Sequence, residues 1–153
     1  MGGRPAPSGC GSGPGGEPGG VGGLGRGLRI ARLRRLGQIA QGLRQRRVPG
    51  LRGASRHLAQ ALRQELAPGD EVIVTNQDHE ANVGAWRRLA DSGITVREWR
   101  IDPDTCELHP SALEDLLTGR TRAVAFTHCS NIVGSINPVR EICDLVHEAG
   151  ALA

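Results

Sequence analysis

The chain has 153 residues, enough for one domain with a single hydrophobic core if most of them pack. Its net charge of +3 is the sum of two unlike parts: residues 1–63 carry 12 arginines and one acid, whereas residues 64–153 carry 7 arginines and 15 acids. The chain contains no lysine, which excludes a phosphate-binding loop of the G-x-x-x-x-G-K-[ST] type within these residues.

Residues 1–53 contain 17 of the 23 glycines, and residues 1–23 have almost no apolar side chains to bury. This composition predicts a disordered leader over residues 1–53, followed by a folded part over residues 54–153. Within the leader, "LGRGLRIARLRRLGQIAQGLRQRRV" has the spacing of a basic amphipathic helix. Such a segment is consistent with organelle targeting, with an arm that contacts nucleic acid or an anionic membrane, or with a low-complexity leader that makes no functional contact.

From Ser55 onward, apolar periodicity predicts alternating helices and strands. Leu58, Leu62 and Leu66 lie four residues apart, as on one face of a helix, and "APGD" ends that helix. The short β-branched run "EVIVT" is typical of a strand buried on both faces of a parallel sheet.

The next segment, "EANVGAWRRLADSG", predicts a second helix. Its inward residues are expected to be Val83, Trp86 and either Leu89 or Ala90, and Gly93 is expected to end it.

The remaining elements continue the alternation. "ITVREW" predicts a strand, "HPSALEDLLTG" a short helix with Pro110 in its first turn, and "TRAVAFTH" a third strand. "PVREICDLVHEAG" predicts a helix with Val139, Ile142 and Val146 toward the core, and the final "ALA" predicts the start of a further strand. The chain is therefore expected to form an α/β fold: a partial three-layer α/β/α arrangement with a mainly parallel sheet.

Polar clusters follow the first and third strands, at the sheet edge where α/β proteins bind ligands. In "NQDHEAN", His79 could stack on an aromatic cofactor or transfer a proton. Alternatively, the cluster caps a helix, with Asp78 as the cap and Glu80 favourable to the helix dipole. In "THCSNIVGSIN", Asn131 could donate to a ligand oxygen, or it could close its own turn.

Cysteine and histidine spacing does not indicate a structural metal site. The four cysteines form no CxxC pair, and the adjacent His128 and Cys129 would point to opposite faces of an extended segment. With no secretory apolar segment, the cysteines are interpreted as reduced thiols of a cytoplasmic protein.

The order of these motifs resembles the cofactor-domain segment of class V aminotransferases, in particular the cysteine desulfurase-like subgroup. The resemblance covers about Arg56 to Ala153 and is strongest from "PGDEVIVTNQDHEANVGAW" onward. It implies the large domain of a fold type I enzyme dependent on pyridoxal 5′-phosphate, with an amino acid as substrate and a homodimer as the usual assembly. It also implies that His79 stacks over the pyridine ring of the cofactor and that Asn131 lies near the phenolic oxygen and the substrate carboxylate.

Three departures qualify this resemblance. In place of the family's phosphate-binding turn stands "VPGLRGASRHLAQAL", where Ser55 and the backbone near Gly53 are the candidate anion contacts. The aspartate that pairs with the pyridine nitrogen and the lysine that forms the Schiff base follow the strand that "ALA" begins, and neither is present. The chain is thus expected to be a fragment of such an enzyme, inactive as given. The rival hypothesis is a non-catalytic interaction protein whose basic arm binds RNA or an anionic membrane surface.

Overall fold

The computed structural model describes the backbone of residues 50–153 and the side chains from Gly53 onward. The predictions of a disordered leader and a basic amphipathic helix therefore lie outside the described residues, except that residues 50–53, the end of the predicted leader, are helical. The elements in chain order are helix α1 (Gly50–Arg63), strand β1 (Glu71–Thr75), helix α2 (Glu80–Arg87), a 3₁₀ helix (Arg88–Ser92), strand β2 (Thr95–Trp99), helix α3 (Pro110–Glu114), strand β3 (Thr121–Ala125) and helix α4 (Val139–Glu148).

The three strands form a parallel sheet in the order β2-β1-β3. β1 is central because it pairs with β2 from Glu71 to Thr75 on one side and with β3 on the other. On the far side of β3, Leu152 forms a parallel bridge with Ala123, at the place where "ALA" predicts the next strand.

Helices cover both faces of the sheet. Val72 and Val74 of β1 pack with Leu62 of α1 and Trp86 of α2 on one face. Ile73, which points the other way, packs in a second core cluster with residues of α3 and α4, including Leu113 and Ile142. Because both faces are covered, all five residues of β1 are buried, and the predicted α/β/α layering is confirmed.

Three helices differ from their predicted extents, and one of them, α3, spans only Pro110–Glu114 of the predicted "HPSALEDLLTG". α1 begins at Gly50, before the predicted Ser55, and ends at Arg63, so Leu66 lies beyond the helix although it packs against the same core. The predicted second helix divides into α2 and the 3₁₀ helix. In a 3₁₀ helix residues three apart share a face, so Leu89 follows Trp86 into the core while Ala90 is exposed. Gly93 ends this segment with φ +78°, a left-handed conformation that favours glycine.

A buried carboxylate stands at the amino end of the sheet. Glu71, 3% exposed, accepts hydrogen bonds from the Thr118 hydroxyl (2.7 Å) and from Nε of Arg120 (3.2 Å), and Nη1 of Arg97 lies 3.7 Å away. The Thr118 hydrogen bond, together with the bond and charge of Arg120 and the charge of Arg97, holds the pKa of Glu71 below its usual value against the opposing effect of burial. The charged form of Glu71 thus ties β1 to the segment that leads into β3.

Candidate functional site

The turn that follows β1 is fixed by its own polar side chains. The Thr75 hydroxyl donates to the Asp78 carboxylate (2.8 Å), and Asn76 Oδ1 accepts the backbone N–H of Ile101 beyond β2 (2.8 Å). Asp78 therefore folds back toward β1 and does not cap α2, so the prediction of Asp78 as the helix cap is wrong.

His79 itself caps helix α2. It has extended backbone angles, and its Nδ1 accepts the backbone N–H of Ala81 at 3.0 Å. As an acceptor Nδ1 carries no proton, so in the neutral ring the proton is assigned to Nε2. Glu80 lies in the first turn, as predicted, where a negative charge suits the helix dipole. The capping bond restrains the exposed imidazole and leaves its Nε2–H available to a ligand.

Residues 128–137 form a small hairpin that presents Asn131. The backbone N–H of Asn137 donates to the His128 carbonyl (2.8 Å), that of Ser130 donates to the Ser135 carbonyl (2.9 Å), and Gly134 has φ +77°. Asn131 lies at the exposed tip, and its side chain forms no hydrogen bond with any residue from 53 to 153.

The hydroxyl of Ser130, not the amide of Asn131, closes this turn. Ser130 Oγ accepts the backbone N–H groups of Ile132 and Val133, each at 3.2 Å. The interpretation that Asn131 closes its own turn is therefore wrong, and its amide is free to contact a ligand.

The buried side chain of Gln77 joins the two polar loops. Its Nε2 donates to Ser135 Oγ (2.6 Å) and to the Cys106 carbonyl (3.4 Å), and its Oε1 accepts from Nδ2 of Asn137 (2.7 Å). The Ser130 hydroxyl also donates to the backbone carbonyl of Gln77 at 2.9 Å. Gln77 is two residues from His79, and Ser130 is adjacent to Asn131, so these bonds hold both predicted site residues at the carboxyl edge of the sheet.

Gln77, Ser130 and Asn137 were not singled out from the sequence. The hydrogen bonds that join Gln77 to Ser130 and to Asn137 link residues 53 and 60 positions apart along the chain, so local spacing gives no signal for these contacts. The buried amide of Asn137 also donates to the Thr127 carbonyl at 2.7 Å. Its position before Pro138 gives no signal for this role, because many loop asparagines precede a proline.

Ser55 is committed to a contact between two helices. Its hydroxyl donates to Asn82 Oδ1 at 2.7 Å, and the residue is 6% exposed. The Gly53 carbonyl lies 2.6 Å from His57 Nδ1, but an anion would be bound by backbone N–H groups, so this contact does not test the prediction for the backbone near Gly53. The hydroxyl predicted as a candidate anion contact therefore links α1 to α2.

The remaining candidate groups are dispersed. Cys106 and Cys129 are exposed free thiols and Cys143 is a half-buried one. From residue 50 onward, no three histidine, cysteine or acidic side chains are grouped so that they could hold a metal ion. Among the helices that the structure describes, none is long and apolar enough to cross a membrane.

Comparison with known proteins gives a consistent family match. The family model for aminotransferase class V matches residues 51–153. An aminotransferase-like protein, FGM3 of Gibberella zeae, is 49% identical over 100 residues, which are 63% of this chain and 24% of that protein. A cysteine desulfurase of Haloferax volcanii is 38% identical over 88 residues, covering 57% of this chain and 20% of the desulfurase.

Solved structures show the same fold. The cysteine desulfurase CsdA of Escherichia coli superposes with a TM-score of 0.64 at 24% identity, covering 90% of this chain and 37% of CsdA. The chain thus spans about a quarter or less of the curated relatives named above and just over a third of this structure.

Proposed function

Because the chain belongs to the class V aminotransferase family, we propose that it forms one wall of a pyridoxal 5′-phosphate site in an enzyme that acts on an amino acid. Among its relatives are an aminotransferase-like protein and cysteine desulfurases. One observation carries the proposal: the Gln77 hydrogen bonds hold the His79 and Asn131 loops together at the carboxyl edge of a parallel sheet.

The side chains at this edge suit a flat aromatic ring with polar substituents. His79 offers a planar, exposed imidazole whose orientation is restrained by the cap on α2. Asn131 offers an exposed amide without a hydrogen-bond partner in residues 53–153. When bound, the cofactor supplies an electron sink for chemistry at the substrate α-carbon. His79 would lie against the ring, and the Asn131 amide would donate to an oxygen at the ring edge or to the substrate carboxylate.

The Ser55 hydroxyl predicted as a phosphate contact is not available, and the chain contains no lysine for covalent attachment of the cofactor. The Ser55 hydroxyl is engaged with Asn82, so a phosphate would depend on other groups. No lysine amine exists among the 153 residues, so none of their side chains can bind the cofactor covalently as the family's lysine does. We therefore propose that the chain as given binds the cofactor non-covalently and does not turn over substrate.

Equilibrium dialysis and induced circular dichroism with pyridoxal 5′-phosphate test this proposal on the full 153-residue chain. Acetylation of the N-terminus removes the α-amine as a source of an adventitious imine. We expect saturable binding that is weakened roughly tenfold by Asn131→Ala, because a hydrogen bond to a charged group is lost, and weakened also by His79→Ala. His147→Ala removes an exposed imidazole from the last turn of α4 and serves as the matched control.

Two results would contradict different parts of the proposal. Binding that is absent, or equally tight in His79→Ala, Asn131→Ala and His147→Ala, would overturn the proposed site. A borohydride-stable adduct on a residue of the acetylated chain would contradict the expectation of non-covalent binding.

A second candidate function, contact of the basic leader with RNA or an anionic membrane, is supported by the ten arginines and single acid of residues 1–53. Salt-sensitive retention of RNA or anionic vesicles that is lost on deletion of residues 1–49 would support it. Retention unchanged by that deletion would exclude the leader as the binding segment.

A further inference from the structure

A groove between α1 and α2 adjoins the His79 turn through Glu80 and Ala81 but does not include His79 or Asn131. It consists of two adjoining cavities of about 360 Å³ each, which share Arg56, Ala85 and Arg88. Its remaining lining includes small residues, which leave space between the helices: Ala59, Ala81 and Gly84. None of its lining residues is His79, Asn131 or Gln77. We call this feature the arginine groove.

Three arginines line the groove without a partner among the described residues. Arg56, Arg63 and Arg88 are exposed, and none forms an ion pair or a hydrogen bond through its guanidinium with residues 53–153. Most other arginines in this part of the chain are paired with acids: Arg87, Arg97, Arg100, Arg120 and Arg122. The unpaired guanidinium groups are thus concentrated on one surface.

A buried hydroxyl adds a second polar feature. Ser92 lines the cavity on the 3₁₀ helix side, and its Oγ is shielded from solvent and has no hydrogen-bond partner among the described residues. Buried hydroxyl groups are normally hydrogen-bonded, so this one lacks an acceptor. Because Ser92 Oγ is shielded from solvent, the side chain would have to rotate before the hydroxyl could donate to a ligand in the groove.

We propose that the arginine groove binds a small ligand carrying two or more phosphate groups. Guanidinium groups bind phosphate oxygens through paired N–H donors, and the cavity volumes lie in the range of small-molecule sites. The acids at the two ends favour a short ligand: Glu80 lines one cavity and Asp91 the other, roughly 18 Å apart along α2 and the 3₁₀ helix. A long polyanion that extended past either end would meet one of these carboxylates. Glu80 is already paired with Arg87 at 3.1 Å and does not neutralise the groove arginines.

Titration of the full chain with inorganic tripolyphosphate tests the proposal, with isothermal calorimetry for affinity and amide NMR for location. We expect one saturable site that shifts the amides of Gln60, Ala85 and Ser92 together. The double variant Arg56→Gln/Arg88→Gln should weaken binding tenfold or more. Arg140→Gln removes an exposed arginine on α4 that lies outside the groove and has no ion pair within residues 53–153, and it should leave the affinity unchanged.

The arginines before residue 50 are retained in every variant, so binding by them would be equal in all. Equal affinity in the wild type and the double variant, or shifts confined to residues before 50, would overturn the proposal. ATP compared with tripolyphosphate distinguishes the source of the phosphate: tighter binding of ATP points to a nucleotide and equal binding to a free polyphosphate, and both support the site. Binding of citrate without binding of either phosphate ligand would sink it.

Discussion

Replacement of Gln77 tests whether its buried amide holds the two polar loops in place. In Gln77→Met the side-chain volume is nearly kept, but the acceptor for Asn137 and the donor to Ser135 are lost. Both bonds are short, at 2.7 and 2.6 Å, and Gln77 has no exposed surface. Each buried group left without a partner costs about 1–3 kcal/mol. Asn137 keeps its second acceptor at Thr127, so we expect a total loss of about 2–3 kcal/mol in the free energy of unfolding.

Urea unfolding of the full chain, followed by fluorescence of the two tryptophans, gives this free energy. Gln77→Ala should lose about 1 kcal/mol more than Gln77→Met, since it also leaves a cavity. Gln64→Ala removes a similar amide from an exposed position next to α1 and should change the stability by less than about 0.5 kcal/mol.

Hydrogen exchange locates the effect. The amides of Ile132 and Val133, which donate to Ser130 Oγ, should exchange faster in Gln77→Met, whereas those of β1 should change only with global stability. If Gln77→Met is as stable as the wild type, or if its loop amides exchange at the wild-type rate, the amide of Gln77 does not hold the loops and the reasoning is refuted.

Three further substitutions have defined outcomes. Glu71→Gln should lower the unfolding free energy by about 1–2 kcal/mol at pH 7, because the hydrogen bonds from Thr118 and Arg120 to a charged acceptor are weakened while the exposed Arg120 returns to solvent. The lowered pKa of Glu71 makes the wild-type advantage complete above the ordinary value of 4.5 and lost as the pH falls through the folded pKa, so urea midpoints that did not converge in acid would contradict this. His79→Ala should cost about 1 kcal/mol through loss of the α2 cap, and His79→Asn should restore most of it in thermal unfolding. Gly84→Ala places a methyl group against the exposed Glu80 carboxylate, which can move, so a gain of about 0.5 kcal/mol in helix stability is expected, and a loss of more than 1 kcal/mol would show that Glu80 is held there.

Much of the fold could be predicted because its signals are local. The run "EVIVT" has apolar side chains on both faces, and the helices around it carry leucine, tryptophan or isoleucine at core spacing, so the layers follow from patterns within single elements. The site was harder to predict because its supports are not local. His79 and Asn131 stand out by residue type, whereas the amide that joins their loops, Gln77, looks like any polar residue of a turn until its partners from residues 130–137 are known.

The capping error has the same origin. Asp78 and His79 are both plausible caps by position, and the choice depends on Thr75, whose hydroxyl draws the Asp78 carboxylate back toward the strand. The arginine groove could not be predicted because arginines are common on helix surfaces. Only the arrangement of α1 and α2 shows which arginines have no acidic partner among the described residues.

The central position of β1 has a consequence for the order of events during synthesis on the ribosome. Both of its sheet partners follow it, and β3 ends at Ala125, 50 residues after Thr75. At roughly 5–20 residues per second, translation of that interval takes about 3–10 s. Throughout this time the edge of β1 that later pairs with β3 has no neighbouring strand. Its unpaired backbone groups can therefore pair with a wrong strand. The tRNA supply for codons 76–125 therefore bears on how much of this domain reaches its native sheet.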